Sequence, residues 1–262
     1  MNDERRAMNR DEPRSSLIAH HSSLTAMRWE AFDSQEELSQ RAAELLLSAI
    51  RENPRSVLGL PTGRSPIGMY ARVVRECSRE YHCFRDVVTF NLDEYCGIAP
   101  EHPASYATYM RQHLFDHVDI DPANTHIPHG VDPDPAGYEE ELRRAGGLQL
   151  TFLGLGRNGH IGFNEPGTPF HSRTRVVELT QSTRHANADL FPGGQVPTHA
   201  LTMGIGTILQ SRRIVLLAAG SGKEEAIARL RSGAMSEEFP ASALHGHGDV
   251  LVLECVAKSA AS

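Results

Sequence analysis

Four short segments of this 262-residue chain hold the side chains best suited to chemistry. Asp93-Glu94 closes the apolar run Val87–Asn91 (VVTFN). A carboxylate held at a strand end can take a proton from a carbon acid. Side chains alternate along a strand, so one of this pair can enter a crevice while the other points away. Gly154–Glu165 is a polar loop carrying Asn158, His160 and Glu165. Histidine titrates near neutrality, and flanking polar partners fix its tautomer for proton transfer. Thr62-Gly63-Arg64-Ser65 stands just before Pro66, a residue suited to a first helical position. Free amides and the helix dipole there make an anion site. Gly220-Ser221-Gly222-Lys223 adds one of only two lysines, the other being Lys258. It is no P-loop, since the first glycine would fall at Leu217 and Glu224 replaces Ser or Thr. Each feature alone also has a plain reading: a solvated strand end, a structural histidine, an ordinary glycine turn.

Gly154-Leu155-Gly156-Arg157-Asn158-Gly159 fits GxGxxG after a strand, with Glu178 near the spacing of a ribose-binding acid. A dinucleotide fingerprint must open a helix. Gly162, Pro166, Gly167 and Pro169 forbid one here, so that reading is set aside. His113 and His117 lie one helical turn apart but have no third ligand nearby, and no metal is expected. Tyr106, after His102-Pro103-Ala104-Ser105, is placed to cover a ligand or to pack.

These segments hang on a repeating grammar. Ser34 with Glu37 forms a capping box before a helix over 35–52, which Asn53-Pro54 ends. Strand 56–60, helix 66–77, strand 87–91, helix 105–115 and helix 135–145 follow, the last capped by Gly146-Gly147. Strand 148–153, helix 200–209, strand 213–219, helix 224–231 and strand 249–255 complete the pattern. Continuously apolar strands alternating with helices imply a mostly parallel sheet with helices on both faces, in a single domain over 25–262. Residues 1–24, with four basic and four acidic side chains and no periodicity, read as a flexible tail. In such a sheet ligands bind outside the carboxyl ends of the strands. The four segments all follow strands, so the topology predicts that they meet at one edge.

Composition excludes several classes. The net charge of −7 and the lack of a basic stretch argue against a nucleic-acid partner. The longest fully apolar run, Ile214–Ala219, is far short of a membrane span. No secretory h-region is visible, so the cytoplasm is expected. Cys77, Cys83, Cys96 and Cys255 are scattered without CxxC spacing, which argues against a disulfide scaffold or a zinc ribbon. Nothing here sets an oligomeric state, and a homo-oligomer is left open.

LGLPTGRSPIGMY, VVTFNLDEYCGI with EHPASY, FLGLGRNGHIGFNEPGTPFHSRT and VPTHALTMGIGTIL closely resemble the glucosamine-6-phosphate deaminases, from about Met27 to Cys255. GRNGHIGFNEPGT and FPASALH resemble the shorter bacterial subgroup. The resemblance implies a Rossmann-like α/β fold and conversion of glucosamine 6-phosphate to fructose 6-phosphate plus ammonia, without cofactor or metal. It implies Asp93 as the base at C2, His160 as the ring-opening group, and Glu165 with Asn158 as its partners. It implies phosphate contacts from Thr62, Gly63, Arg64, Ser65 and Lys223, and sugar-site roles for Glu94, Tyr106, Gly159, Arg184 and Asp189. Two positions depart from the family. Many members have Asp where this chain has Asn158. Relatives commonly carry Arg at the position of Asp189, which leaves three outcomes: Asp189 turns away from the site, Arg64 or Arg184 pairs with it and supplies the missing cation, or the substrate lacks the 6-phosphate; the second is favoured. Val177 stands where longer relatives carry a Lys for an allosteric effector, so activation by N-acetylglucosamine 6-phosphate is not expected. Three alternatives stay open: a 6-phosphogluconolactonase-type hydrolase, a deaminase of another or unphosphorylated amino sugar, and a non-catalytic sugar-phosphate sensor. Asp93 and the FNEPGT segment favour the deaminase. A sensor would need a DNA-binding module for which 1–24 is too short.

Overall fold

The chain enters the fold on a strand that periodicity does not announce. β1 (Arg28–Ala31) precedes α1 (Gln35–Glu52). Ser34 Oγ accepts the Glu37 N–H at 3.1 Å, and Glu37 Oε2 accepts the Asp33 N–H at 3.2 Å. Next come β2 (Val57–Leu60), α2 (Ile67–Cys77), β3 (Val88–Asn91), β4 (Asp93–Tyr95), α3 (Tyr106–His113), β5 (Thr125–His126) and α4 (Pro135–Arg144). The second half holds β6 (Leu150–Gly154), β7 (Arg175–Glu178), α5 (Gln181–Ala186), β8 (His199–Thr202), α6 (Ile205–Ile208), β9 (Arg213–Ala219), α7 (Glu224–Arg231) and β10 (Val250–Cys255). This computed structural model describes residues 27–79, 83–191, 193 and 195–255. The expected tail, 1–24, and Lys258 lie outside them.

Seven strands form one parallel sheet in the order β1-β10-β9-β6-β2-β3-β5. Their period-2 alternation feeds two cores. Val215, Leu217, Leu251 and Leu253 pack under α1, α2 and α3 on one face. Ile214, Leu216, Val250 and Val252 pack under α4, α6 and α7 on the other. Burial on both faces is why these strands read as unbroken apolar runs. Truncating one such side chain, Leu217→Ala, should cost about 2–5 kcal/mol.

The chain moves outward from β2 through β3 to β5, then returns to place β6 on the other side of β2. The sheet therefore switches direction between β2 and β6, and the carboxyl ends of β9, β6, β2 and β3 stand side by side. A crevice opens at such a point. The four loops named from the sequence flank it.

Three features differ from the sequence-based expectation. The segment 200–209 is not one helix. Its first part is β8, which pairs antiparallel with β4 and β7 in a separate three-stranded sheet, and only Ile205–Ile208 is helical. Gly204, extended at φ −72 and ψ 161, divides the two. Two flanking strands offer β8 ladder partners on both sides, and this long-range pairing outweighs a weak helical preference. β7 and α5 lie in a stretch that has no strong period of its own. Finally, Cys77 and Cys83 are joined, their Cα atoms 5.6 Å apart. That distance is ordinary for a disulfide, so two of the four cysteines are paired rather than isolated. Among the described residues no helix is long and apolar enough to cross a membrane.

Candidate active site

Asp93 and Glu94 leave β3 on β4 and diverge as strand alternation requires. Both are buried, at 6% and 3% exposure. Asp93 faces the loop after β6: a Cβ placed on Gly162 would stand 3.2 Å from Asp93 Oδ2 and 3.1 Å from Thr202 Oγ1. Gly162 is also left-handed, φ +57, so both space and backbone require glycine. Burial, and then the neighbouring Glu94 charge, push the Asp93 carboxyl up to about 8. A carboxylate of that basicity is suited to removing a proton from carbon near neutral pH.

Glu94 turns away from the crevice. Its Oε1 accepts the N–H groups of Tyr95 (2.8 Å) and Tyr106 (3.1 Å). Its Oε2 accepts the Ser105 hydroxyl (2.7 Å) and the Ala107 N–H (3.2 Å). The carboxylate thus satisfies the orphan amides that begin α3. Burial raises its pKa against the pull of these donors. The carboxylate expected at the sugar site anchors the start of α3. α3 in turn grips the turn after β2. Tyr106 shares a hydrogen bond with Thr62, and Tyr109 donates to Gly63 O at 2.6 Å. Tyr106 also stacks with Phe163 at 6.1 Å.

The turn itself has the form of an anion site. Gly63 is left-handed, φ +88, and leads through Ser65 into α2, whose first turn carries no acid. Among the described residues no acceptor takes the N–H of Gly63, Arg64 or Ser65. Arg64 is exposed.

The loop after β6 forms a relay. Asn158 Nδ2 donates to Glu165 Oε2 at 2.7 Å, and Asn158 Oδ1 lies 2.7 Å from His160 Nδ1. A carboxylate can only accept, so Glu165 fixes which end of the amide faces it. Asn158 Oδ1 then faces the ring, Nδ1 carries the proton, and Nε2 keeps its lone pair for the crevice. The Glu165 Oε2 to His160 Nδ1 distance is 3.9 Å, so Glu165 acts mainly through Asn158. Thr183 Oγ1 on α5 donates to Glu165 Oε1 at 2.5 Å. His160 is held below the usual histidine range by burial and by Lys223, with Glu165 opposing them. It is a neutral base at neutral pH. No helix follows, as expected from the glycines and prolines. Gly159, φ +85, packs its Cα against Phe239, and Gly159 O accepts the Ala241 N–H at 2.8 Å. The glycine expected to contact substrate also supports the backbone, tying the loop to FPASALH.

Lys223, half-buried at the start of α7, reaches the Leu155 carbonyl. Burial and the Arg157 charge hold it below the usual lysine range. Arg184 on α5 has its Nε buried without a partner, while Asp189 is exposed. Among the described residues Asp189 pairs with neither Arg64 nor Arg184, contrary to expectation. The compensating pair is not formed because Asp189 points into solvent. Thr183 and Tyr109 have no signal in the sequence pattern, since both act across long-range contacts. Elsewhere His117 Nε2 binds Gln112 O, His245 Nε2 binds Leu230 O and His247 Nε2 binds Ser211 O. Among the described residues no three His, Cys, Asp or Glu side chains converge as a metal site.

A buried carboxyl, a half-buried histidine with its carboxylate relay, and an open amide turn gather at one edge of a Rossmann-like sheet. Residues 30–252 match the glucosamine-6-phosphate isomerases/6-phosphogluconolactonase family, and the chain belongs to that family. Within it, the chain is 49% identical over 223 residues to a glucosamine-6-phosphate deaminase of Bacillus velezensis, covering 83% of this chain and 92% of that one. Glucosamine-6-phosphate deaminase 1 of Bacillus subtilis is likewise 49% identical, with the same coverage of 83% and 92%. A solved monomeric glucosamine-6-phosphate deaminase superposes with a TM-score of 0.84 at 47% identity, covering 88% of this chain and 97% of that one. The 6-phosphogluconolactonase of Trypanosoma brucei, at 16% identity and a TM-score of 0.67 over 88% of this chain and 96% of that one, shares the fold.

Proposed function

We propose that this protein converts glucosamine 6-phosphate and water to fructose 6-phosphate and ammonia. The observation that carries the reading is the meeting of Asp93 with the Asn158–His160–Glu165 relay at one sheet edge. His160 Nε2 takes the proton of the C1 hydroxyl and returns it to the ring oxygen, which opens the sugar to an aldehyde. Asn158 and Glu165 hold the imidazole in the tautomer this needs. Asp93 then removes the proton from C2, acidified by the adjacent carbonyl, and the electron pair moves to O1 through an enolamine. Proton return to C1 leaves an imine at C2. Water adds to C2, and the carbinolamine expels ammonia as the ketone forms. Carbon base and ring opener are both required here, whereas lactone hydrolysis needs no base at C2. The open amides of residues 63–65 and the Lys223 cation are placed to hold the phosphate.

An acid stands at position 189, where relatives commonly carry Arg, and this missing cation supports a second reading in which the substrate is an unphosphorylated amino sugar. Ammonia release measured with glucosamine 6-phosphate, galactosamine 6-phosphate, glucosamine and galactosamine separates the two. Preferred turnover of glucosamine 6-phosphate is expected. Preferred turnover of free glucosamine would replace the named substrate, and no ammonia from any of the four would refute the deaminase.

A further inference from the structure

Arg157 belongs to none of the roles assigned so far. It stands in the loop after β6, between Gly156 and Asn158. Its guanidinium lies against the loop after β9, with Nε and Cζ 3.1 and 3.3 Å from where a Cβ on Gly222 would be. β6 and β9 are neighbours, Gly154 opposite Leu217, so the two loops leave adjacent strand ends. The next residue along is Lys223, whose ammonium is fastened to the Leu155 carbonyl at the root of the same loop. Two cations therefore sit together beside the crevice. Among the described residues neither has a carboxylate partner. Elsewhere in this chain arginines meet acids, as in Arg41–Glu30, Arg143–Glu140 and Arg173–Glu139.

Like charges held close together raise the free energy of both, more so where one is half-buried. An anion placed between them removes that cost. The anion at hand is a phosphate monoester, which carries between one and two negative charges at neutral pH and three acceptor oxygens. A planar guanidinium fork binds such a group through two parallel N–H···O contacts. Arg64, the cation of the open turn, is exposed like Arg157, but among the described residues no hydrogen bond or ion pair holds it, whereas the Arg157 guanidinium lies against the Gly222–Lys223 loop. Asp189 cannot contribute, being an acid. We infer that Arg157 is the specificity-determining partner of Lys223, and that together they bind the substrate's 6-phosphate against the Thr62–Ser65 amides. The inference rests on the proposed deaminase reading and extends it to a residue of this chain.

The test compares wild type with Arg157→Ala and Arg157→Lys in ammonia release from glucosamine 6-phosphate, and in binding of inorganic phosphate by calorimetry. Loss of a charged hydrogen-bond donor should raise KM by about tenfold to a hundredfold in Arg157→Ala. The change in kcat should be smaller than that in KM, and Arg157→Lys should recover part of the loss. Phosphate affinity should fall by a similar factor. Unchanged KM and unchanged phosphate affinity in Arg157→Ala would overturn the inference. A wild type inactive on every amino sugar would refute the deaminase reading alone. Phosphate affinity would then decide for Arg157: lost in Arg157→Ala, the subsite stands, and retained, it falls.

Discussion

Replacing Asp93 by Asn should abolish turnover and at the same time stabilise the protein, by an amount that depends on pH. The ordinary aspartate value near 3.8 rises to about 8 in the folded protein, through burial first and the Glu94 charge second. Unfolded chains ionise this group near pH 4, whereas the folded protein keeps its proton until about pH 8. The stability linked to this proton is fully present below about pH 4 and is lost as pH rises toward 8. At pH 7 the separation from the unfolded value is about three units, or about 4 kcal/mol before structural relaxation. Asn is neutral and nearly isosteric with the protonated acid, so it escapes this loss. Urea unfolding at pH 5 should show a small advantage for Asp93→Asn, and at pH 8 an advantage of several kcal/mol, of the order of ten degrees in Tm. Exchange of the C2 proton with deuterated solvent should vanish in the same variant. Parallel stability curves for the two proteins across pH 5–8 would refute the raised basicity. Retained C2 exchange would refute the role of the carboxylate.

Four further outcomes are expected. Glu94→Gln removes the like charge beside Asp93, which then loses its proton more easily. The acid limb of kcat/KM should move to lower pH, and an unmoved limb would leave Glu94 a purely mechanical anchor. Tyr109→Phe frees Gly63 O from α3. KM for the phosphorylated sugar should rise about fivefold to tenfold without moving the acid limb, and an unchanged KM would show that α3 does not hold the turn. His160→Asn with Glu165→Gln should cost little more than the worse single change, because the relay works as a unit, and additive losses would separate the roles. Reduction of the Cys77–Cys83 bond should lower stability by about 2 kcal/mol, given its short loop, as read from denaturant midpoints with and without a thiol reductant.

Much of this architecture was legible in the residues alone. The boundaries of α1, β9 and α7 follow from capping residues and from apolar period, both local signals. The parallel sheet followed from strands such as Arg213–Ala219, which are apolar throughout because both faces are covered. The meeting of the catalytic loops followed from a general rule about strand ends, with no distance known. The resemblance, carried by long ordered motifs, supplied the reaction.

Other features were decided only by tertiary structure, because they depend on partners far away in sequence. β8 looked helical by composition, yet β4 and β7 offered ladder hydrogen bonds to it from residues about a hundred and about twenty-five positions away. Asp93 and Glu94 were indistinguishable as adjacent acids. The fold sends one toward Gly162 and the other beneath α3, so the first carboxyl is left to rise to about 8 while four donors make the second an anchor. Gly159 looked like a sugar-site residue, and the fold also makes it a support against Phe239. Arg157 looked like a loop residue, and only the adjacency of β6 and β9 brings its charge to Lys223. Local sequence sets which elements form, through periodicity and caps acting within a few residues. Burial, charge pairing and hydrogen-bond saturation depend on what the rest of the chain packs against each group, and these decide which of two similar side chains does the chemistry.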